Sequence, residues 1–325
     1  MNADEIREME ALATRGPAFP ALEQAGAVDW PAWVRGAEQL YREWPDGPSR
    51  ARRIHHLTIP ILLWLANART RVSGRPLVAG LSAPQGAGKS TLGRHLIRLL
   101  ADFGLRATTI SIDDFYLPHV DQERLAARHA GNPYLRYRGY PGTHDLALGT
   151  TTLEALRSIT ADGEVVVPAY DKSLHGGRGD RLPRENWPTA RGPLDLVLVE
   201  GWMLGFRPVE PAAILDPELR LVNGRLRDYD AWHRLIDVMV ILKATDIADV
   251  LRWRIEAEDA ARASGRVGLE RAAIEDYVRR FTPAYETYGD TVETGRWSPD
   301  RQLVLQLGGD RLPVTAKHYG PRFHP

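Results

Sequence analysis

The chain has 325 residues, and its 42 Lys plus Arg are matched by 42 Asp plus Glu, so its formal charge is zero. That balance argues against a bulk polyanion partner, since nucleic acid or an anionic membrane calls for a basic excess. With no cysteine, disulfide scaffolds, thiolate metal sites and cysteine nucleophiles are excluded as well.

Apolar residues at 43% suffice for a core, and at about 150 residues per domain the length allows roughly two domains. Residues 1–75 are expected to form a helical extension. Trp30, Trp33, Val34, Leu40, Tyr41 and Trp44 are spaced as one helix face, and Leu57 to Leu65 is a second apolar stretch closed by Ser73-Gly74-Arg75-Pro76. The start, Met1 to Glu10, is acid-rich rather than basic, unlike a secretory signal. The longest apolar run, Ile59 to Ala66, is interrupted by Pro60 and falls short of the ~20 residues that span a bilayer. The chain therefore reads as soluble and cytoplasmic, with a small molecule rather than a membrane or nucleic acid as its partner.

The character changes at Leu77. Leu77 to Leu81 predicts a buried strand, Thr91 to Phe103 a helix closed by Gly104, and Ala107 to Ile112 a strand. Thr150 to Ile159 predicts a helix, and Val165 to Val167 a short edge strand that Pro168 ends. Leu194 to Val199 and Val238 to Leu242 predict buried strands, Thr245 to Ala263 and Leu269 to Phe281 helices, and Leu303 to Leu307 the last strand. Strands alternating with helices predict a doubly wound, mostly parallel sheet with helices on both faces. Residues 76–325 are read as one α/β domain, with insertions around 115–190 and 245–285. In such sheets ligands sit at the carboxyl ends of the strands.

Five segments carry chemistry. Ala83-Pro84-Gln85-Gly86-Ala87-Gly88-Lys89-Ser90-Thr91 lies between a strand and a helix, as a phosphate loop does. Small residues let backbone N–H groups approach phosphate oxygens, and the helix N-terminus adds positive partial charge. Lys89 would reach the β- and γ-phosphates of ATP and the Ser90 hydroxyl would bind Mg²⁺. Glu200 ends the strand Leu194 to Val199, the expected place for a Mg²⁺-organising carboxylate. Asp113 and Asp114 follow the next strand; either can accept a proton from an attacking hydroxyl or hold Mg²⁺ through water, with Asp113 preferred. The loop with Tyr170, Lys172, Arg178, Asp180 and Arg181 is dense in donors and suits a small anionic acceptor, as do Arg138 and His144. Arg254, preferred over Arg252, is placed to close over the phosphates as a lid.

Together these segments resemble a known family. Gly80 to Gly86, Ser111 to Tyr116, Gly142 to Leu146, Tyr170 to Ser173, Gly176 to Arg181, Val199 to Phe206 and Tyr229 to Trp232 look like the plant and fungal type of D-glycerate 3-kinase. That family lies in the P-loop group of phosphoribulokinase, uridine kinase and pantothenate kinase. The resemblance covers roughly residues 77–308 and makes Ala83, where other phosphate loops start with Gly, an ordinary feature. It implies transfer of the ATP γ-phosphoryl group to the 3-hydroxyl of D-glycerate. It maps the base onto Asp113, the Walker-B-type acid onto Glu200 and the lid arginine onto Arg254. A nucleoside, pantothenate or a sugar phosphate stays open as the acceptor. A regulatory protein that binds and hydrolyses ATP is the alternative from another class.

Overall fold

The computed structural model describes residues 2–263, 271–294 and 301–322. Four helices come first: α1 (Ala3–Thr14), α2 (Phe19–Ala25), α3 (Trp30–Glu43) and α4 (Ile59–Arg69). The aromatic face expected from Trp30 onward is α3, which Asp29 starts by accepting the Ala32 N–H. A π turn over Arg53–Thr58 runs into α4. Pro60 sits in the first turn of α4, where a helix needs no N–H donor, so the apolar run continues as one helix. That helix is buried on every side from Ile59 to Leu65.

A six-stranded sheet follows: β1 (Leu77–Ser82), β2 (Ala107–Ser111), β3 (Leu196–Gly201), β4 (Val238–Ala244), β5 (Gln302–Leu307) and β6 (Pro313–Tyr319). Its order is β6-β5-β4-β1-β3-β2. All neighbours are parallel except β5 and β6, which are antiparallel. Two sequence expectations need correcting. The last strand is not Leu303 to Leu307, because β6 follows it. As an edge strand β6 buries only Pro313 and His318, and it has no continuous apolar run to announce it. The short strand near Val165 is Glu164–Val166, and it pairs with Thr189–Arg191 in a separate ribbon rather than at the edge of the main sheet.

Alternation along the strands divides the core. Leu77, Ala79 and Leu81 face α1–α4 and α5 (Lys89–Asp102), in one cluster with Trp33 and Trp64. Val78, Val199 and Met239 face the other way, against Trp202, Tyr229, Trp232 and Phe281. The sheet is thus covered by helices on both faces, as predicted. Three more helices complete the site's surroundings: α6 (Leu146–Arg157), α7 (Ile247–Ala263) and α8 (Arg271–Tyr288). Leu269 and Glu270, where the last of these was expected to begin, lie outside the described residues.

Candidate active site

Three neighbouring strands end together. Leu81 of β1 lies opposite Glu200 of β3, and Glu200 lies opposite Ser111 of β2. The phosphate loop leaves β1 and the two aspartates leave β2, so Glu200 stands between them. Its carboxylate is 6% exposed; Oε1 accepts the Ser90 hydroxyl at 2.7 Å, and Oε2 lies 3.9 Å from the Lys89 ammonium. Lys89, Ser90 and Glu200 are therefore brought together.

The phosphate loop is held from three sides. Ala83 donates its N–H to the Gly201 carbonyl at 3.1 Å. Gln85 donates its N–H to the Tyr285 hydroxyl of α8 at 3.1 Å. The Gly86 carbonyl accepts Arg311 Nε at 2.9 Å, and the same guanidinium donates to the Trp253 carbonyl of α7 at 3.1 Å. Gly86 has a left-handed φ of 78°, and a Cβ there would stand 2.7 Å from the Trp253 carbonyl carbon and 2.8 Å from the Arg254 nitrogen. Gly86 is thus needed both for its conformation and for the approach of α7. Ala87 is buried, Gly88 opens α5, and Thr91 lies exposed in its first turn.

Asp113 and Asp114 lie on a 3₁₀ turn, Ile112–Phe115, that leaves β2. They part company there. Asp114 turns back and accepts the Ser111 N–H at 3.2 Å. Burial pushes its carboxyl up to about 6, with the neighbouring Asp113 charge adding to the effect. Asp113 receives the Lys172 ammonium at 2.5 Å. Burial alone would raise its pKa; the Lys172 and Lys89 charges and hydrogen bonds from Lys172 and Tyr116 outweigh burial, so the group stays well below the usual carboxylate range.

Lys172 arrives on a small ribbon, Tyr170–Asp171 paired with Asp180–Arg181. Most of the other cations expected to face an acceptor are engaged in holding that ribbon. Arg138 donates to the carbonyls of Gly177 at 2.9 Å and Lys172 at 3.3 Å, and lies over the Tyr170 ring. Arg178 pairs with Glu123 at 2.5 Å. Arg181 donates to Asp145 at 3.1 Å and to the Tyr116 carbonyl at 2.9 Å. Asp180 accepts the His119 N–H at 2.9 Å and pairs with His175. His144 is buried against Tyr116, Tyr229 and Trp232, and burial pushes its imidazole down to about 3, so it is neutral.

Residues that the motifs did not indicate also build the site. Arg311 comes from the β5–β6 hairpin, 225 positions after Gly86. Tyr285 comes from α8, 200 positions after Gln85. Neither sits in a local pattern that marks it. Tyr229 lay in a quoted segment but without an assigned role. No helix among the described residues is long and apolar enough to cross a membrane.

No family model matches the chain. The chain is 42% identical over 285 residues to the chloroplastic D-glycerate 3-kinase of Arabidopsis thaliana, with 83% of this chain and 62% of that protein covered. It thus spans about three fifths of that relative's length. It is 34% identical to an uncharacterised kinase of Schizosaccharomyces pombe, covering 78% of this chain and 96% of the relative. The solved D-glycerate 3-kinase of Cryptococcus neoformans superposes with a TM-score of 0.73 at 30% identity, over 81% of this chain and 99% of that one. A phosphate loop before a helix, an acid at the end of β3 and these likenesses converge: the chain belongs to the plant and fungal D-glycerate 3-kinase family of P-loop kinases.

Proposed function

We propose that the chain transfers the γ-phosphoryl group of ATP to the 3-hydroxyl of D-glycerate, giving 3-phosphoglycerate. The relatives named for that reaction support the acceptor. The observation that carries the reading is the Lys172–Asp113 contact of 2.5 Å, because it joins the acceptor loop to the carboxylate that also feels Lys89 of the nucleotide loop.

Asp113 orients the acceptor hydroxyl and takes its proton as the oxygen attacks phosphorus. A loose transition state asks mainly for positioning, so a weakly basic carboxylate suffices. The Lys172 side chain is 56% exposed, so an acceptor arriving from solvent can reach its ammonium. When the acceptor carboxylate takes its ammonium, Asp113 loses its closest cation and becomes more basic. Lys89 and Arg254 offset charge on the transferred group, and the backbone of residues 83–91 cradles the phosphates.

The residues also fit a hard divalent cation. Glu200 Oε2 and Asp113 Oδ1 are buried oxygens without a hydrogen-bond partner among the described residues, and the Ser90 hydroxyl lies beside Glu200. Mg²⁺ in such sites keeps waters and phosphate oxygens and needs only one or two carboxylates, which agrees with the absence of a three-residue cage among the described residues. Bound there, it would neutralise charge on the β- and γ-phosphates.

The test is ADP release over a panel of D-glycerate, nucleosides, pantothenate and sugar phosphates. D-Glycerate is expected to give the highest kcat/KM. Asp113→Asn should lower kcat by about 10²–10⁴-fold with the Kd for ATP unmoved, and equal turnover would refute the base assignment. An unstimulated ATPase would favour a regulatory role. We place the enzyme in the cytoplasm, in keeping with its cysteine-free composition, and cell fractionation tests that.

A further inference from the structure

His144 is a buried histidine with one nitrogen left over. Its Nδ1 lies 2.7 Å from the Tyr229 hydroxyl. The Gly142 N–H donates to that same hydroxyl at 3.1 Å. A backbone N–H can only donate, so the Tyr229 oxygen is an acceptor there and keeps its own hydrogen. Among the described residues that hydrogen has one acceptor, His144 Nδ1. Were Nδ1 protonated instead, the Tyr229 O–H would be stranded without an acceptor. The order Gly142 N–H to Tyr229 oxygen, then Tyr229 O–H to Nδ1, leaves nothing stranded and puts the imidazole proton on Nε2.

Nε2 is itself buried and has no hydrogen-bond partner among the described residues. Two histidines that accept a buried tryptophan N–H at Nδ1 are, by contrast, completed on both sides. His55 accepts Trp33 Nε1 and contacts the Tyr41 hydroxyl, and His318 accepts Trp64 Nε1 and contacts the Pro321 carbonyl. A buried donor left alone is costly and needs a reason. The His144 ring lies 4.4 Å from that of Tyr116, whose hydroxyl bonds Asp113, so the lone donor stands beside the carboxylate of the site rather than in a remote core.

We infer that Tyr229 is a positioning residue that locks His144 as the Nε2–H tautomer, and that this N–H binds an oxygen of the acceptor next to the hydroxyl that reacts. The ligand chemistry is an oxygen with a free lone pair, the hydroxyl or a carboxylate oxygen of a 2-hydroxy carboxylate. A neutral imidazole supplies direction without charge, so it complements Lys172, which supplies charge on a flexible stem. The inference rests on the proposed transfer to D-glycerate.

Two measurements test it on the full chain. With ¹⁵N-histidine labelling, the His144 signal is assigned as the one missing in His144→Gln. At neutral pH it should show the Nε2–H pattern and shift when D-glycerate and a non-hydrolysable ATP analogue are added. Tyr229→Phe should convert it to a mixture of tautomers. A wild-type imidazole protonated on Nδ1 overturns the inference whatever the activity. In kinetics, His144→Leu should raise the KM for D-glycerate roughly tenfold to a hundredfold with the KM for ATP unmoved. His144→Gln, whose amide can reach the Nε2 position, should recover part of that loss, whereas a folded His144→Leu with an unchanged acceptor KM overturns the inference alone. A wild-type enzyme that phosphorylates no acceptor overturns the proposed function instead.

Discussion

Asp113 and Asp114 are neighbours in sequence with opposite fates. The carboxyl that faces two lysines is held ionised, and the one that caps the strand end is pushed toward its neutral form. The sequence favoured Asp113, but the cause of the separation is not local to the two acids: it comes from Lys172, 59 positions away. The Asp114 shift has a stability consequence. Its folded pKa near 6 lies above the ordinary carboxylate value of 3.8, so the folded state binds this proton more tightly than the unfolded chain. That contribution is fully present below the unfolded value and is lost as pH rises through about 6. Asp114→Asn keeps an oxygen for the Ser111 N–H and removes the buried charge. It should therefore raise the urea midpoint at pH 8, by roughly 1–3 kcal/mol of stability, and change little at pH 4.5. A variant less stable than wild type at pH 8 would show that the ionised carboxylate is the form the fold wants.

Helices and strand ends set the site's geometry at the next scale up. The phosphate loop was legible because its residues are contiguous and their chemistry is local. What presses on it was not. α7 rests its backbone on Gly86, and the β5–β6 hairpin sends Arg311 across to bond both. Arg311 also pairs with Glu256 at 2.6 Å and lies over the Trp253 ring, so loop, helix and hairpin behave as one unit. Gly86→Ala places a methyl against backbone in a conformation that already disfavours a side chain. It should weaken ATP binding by about tenfold or more by forcing α7 away, as read by calorimetric titration. Arg311→Ala should act in the same direction and more mildly. Undisturbed ATP binding in both would mean that the contact of loop and helix is incidental to the nucleotide site. The donor-rich loop shows the reverse outcome. Its composition announced cations for a ligand, yet Arg138 and Arg181 hold carbonyls and Asp145, and among the described residues Lys172 is the one placed on Asp113.

At the scale of the whole molecule, folding buries several histidines in their neutral form. Burial pushes His55 down to about 4 and His144 down to about 3, and lowers His56, His95, His233 and His318 as well. Unfolded histidines take their proton near 6.5, so below that pH the unfolded chain binds more protons than the folded one. Stability should fall steadily from pH 6.5 toward 4, while Asp114, with the opposite sign, offsets part of it. A urea midpoint that stays level between pH 7 and 4.5 would contradict this. Several of these histidines bind N-terminal helices: Trp33 to His55 within the helical segment, Trp44 to His95 of α5, and Trp64 to His318 of β6. The four lysines divide in the same long-range way. Lys89 and Lys172 meet at Asp113, while Lys243 and Lys317 gather around Glu293. By itself the sequence determined the elements of the parallel sheet, the phosphate loop and the acids at its strand ends, since those follow from apolar runs, small residues and spacing over a few positions. Only the tertiary structure decided which cation reaches which acid, which aspartate stays ionised and which nitrogen of His144 is buried without a partner among the described residues, because partners as far apart as Gly86 and Arg311 meet only when the chain is folded and burial makes those meetings count.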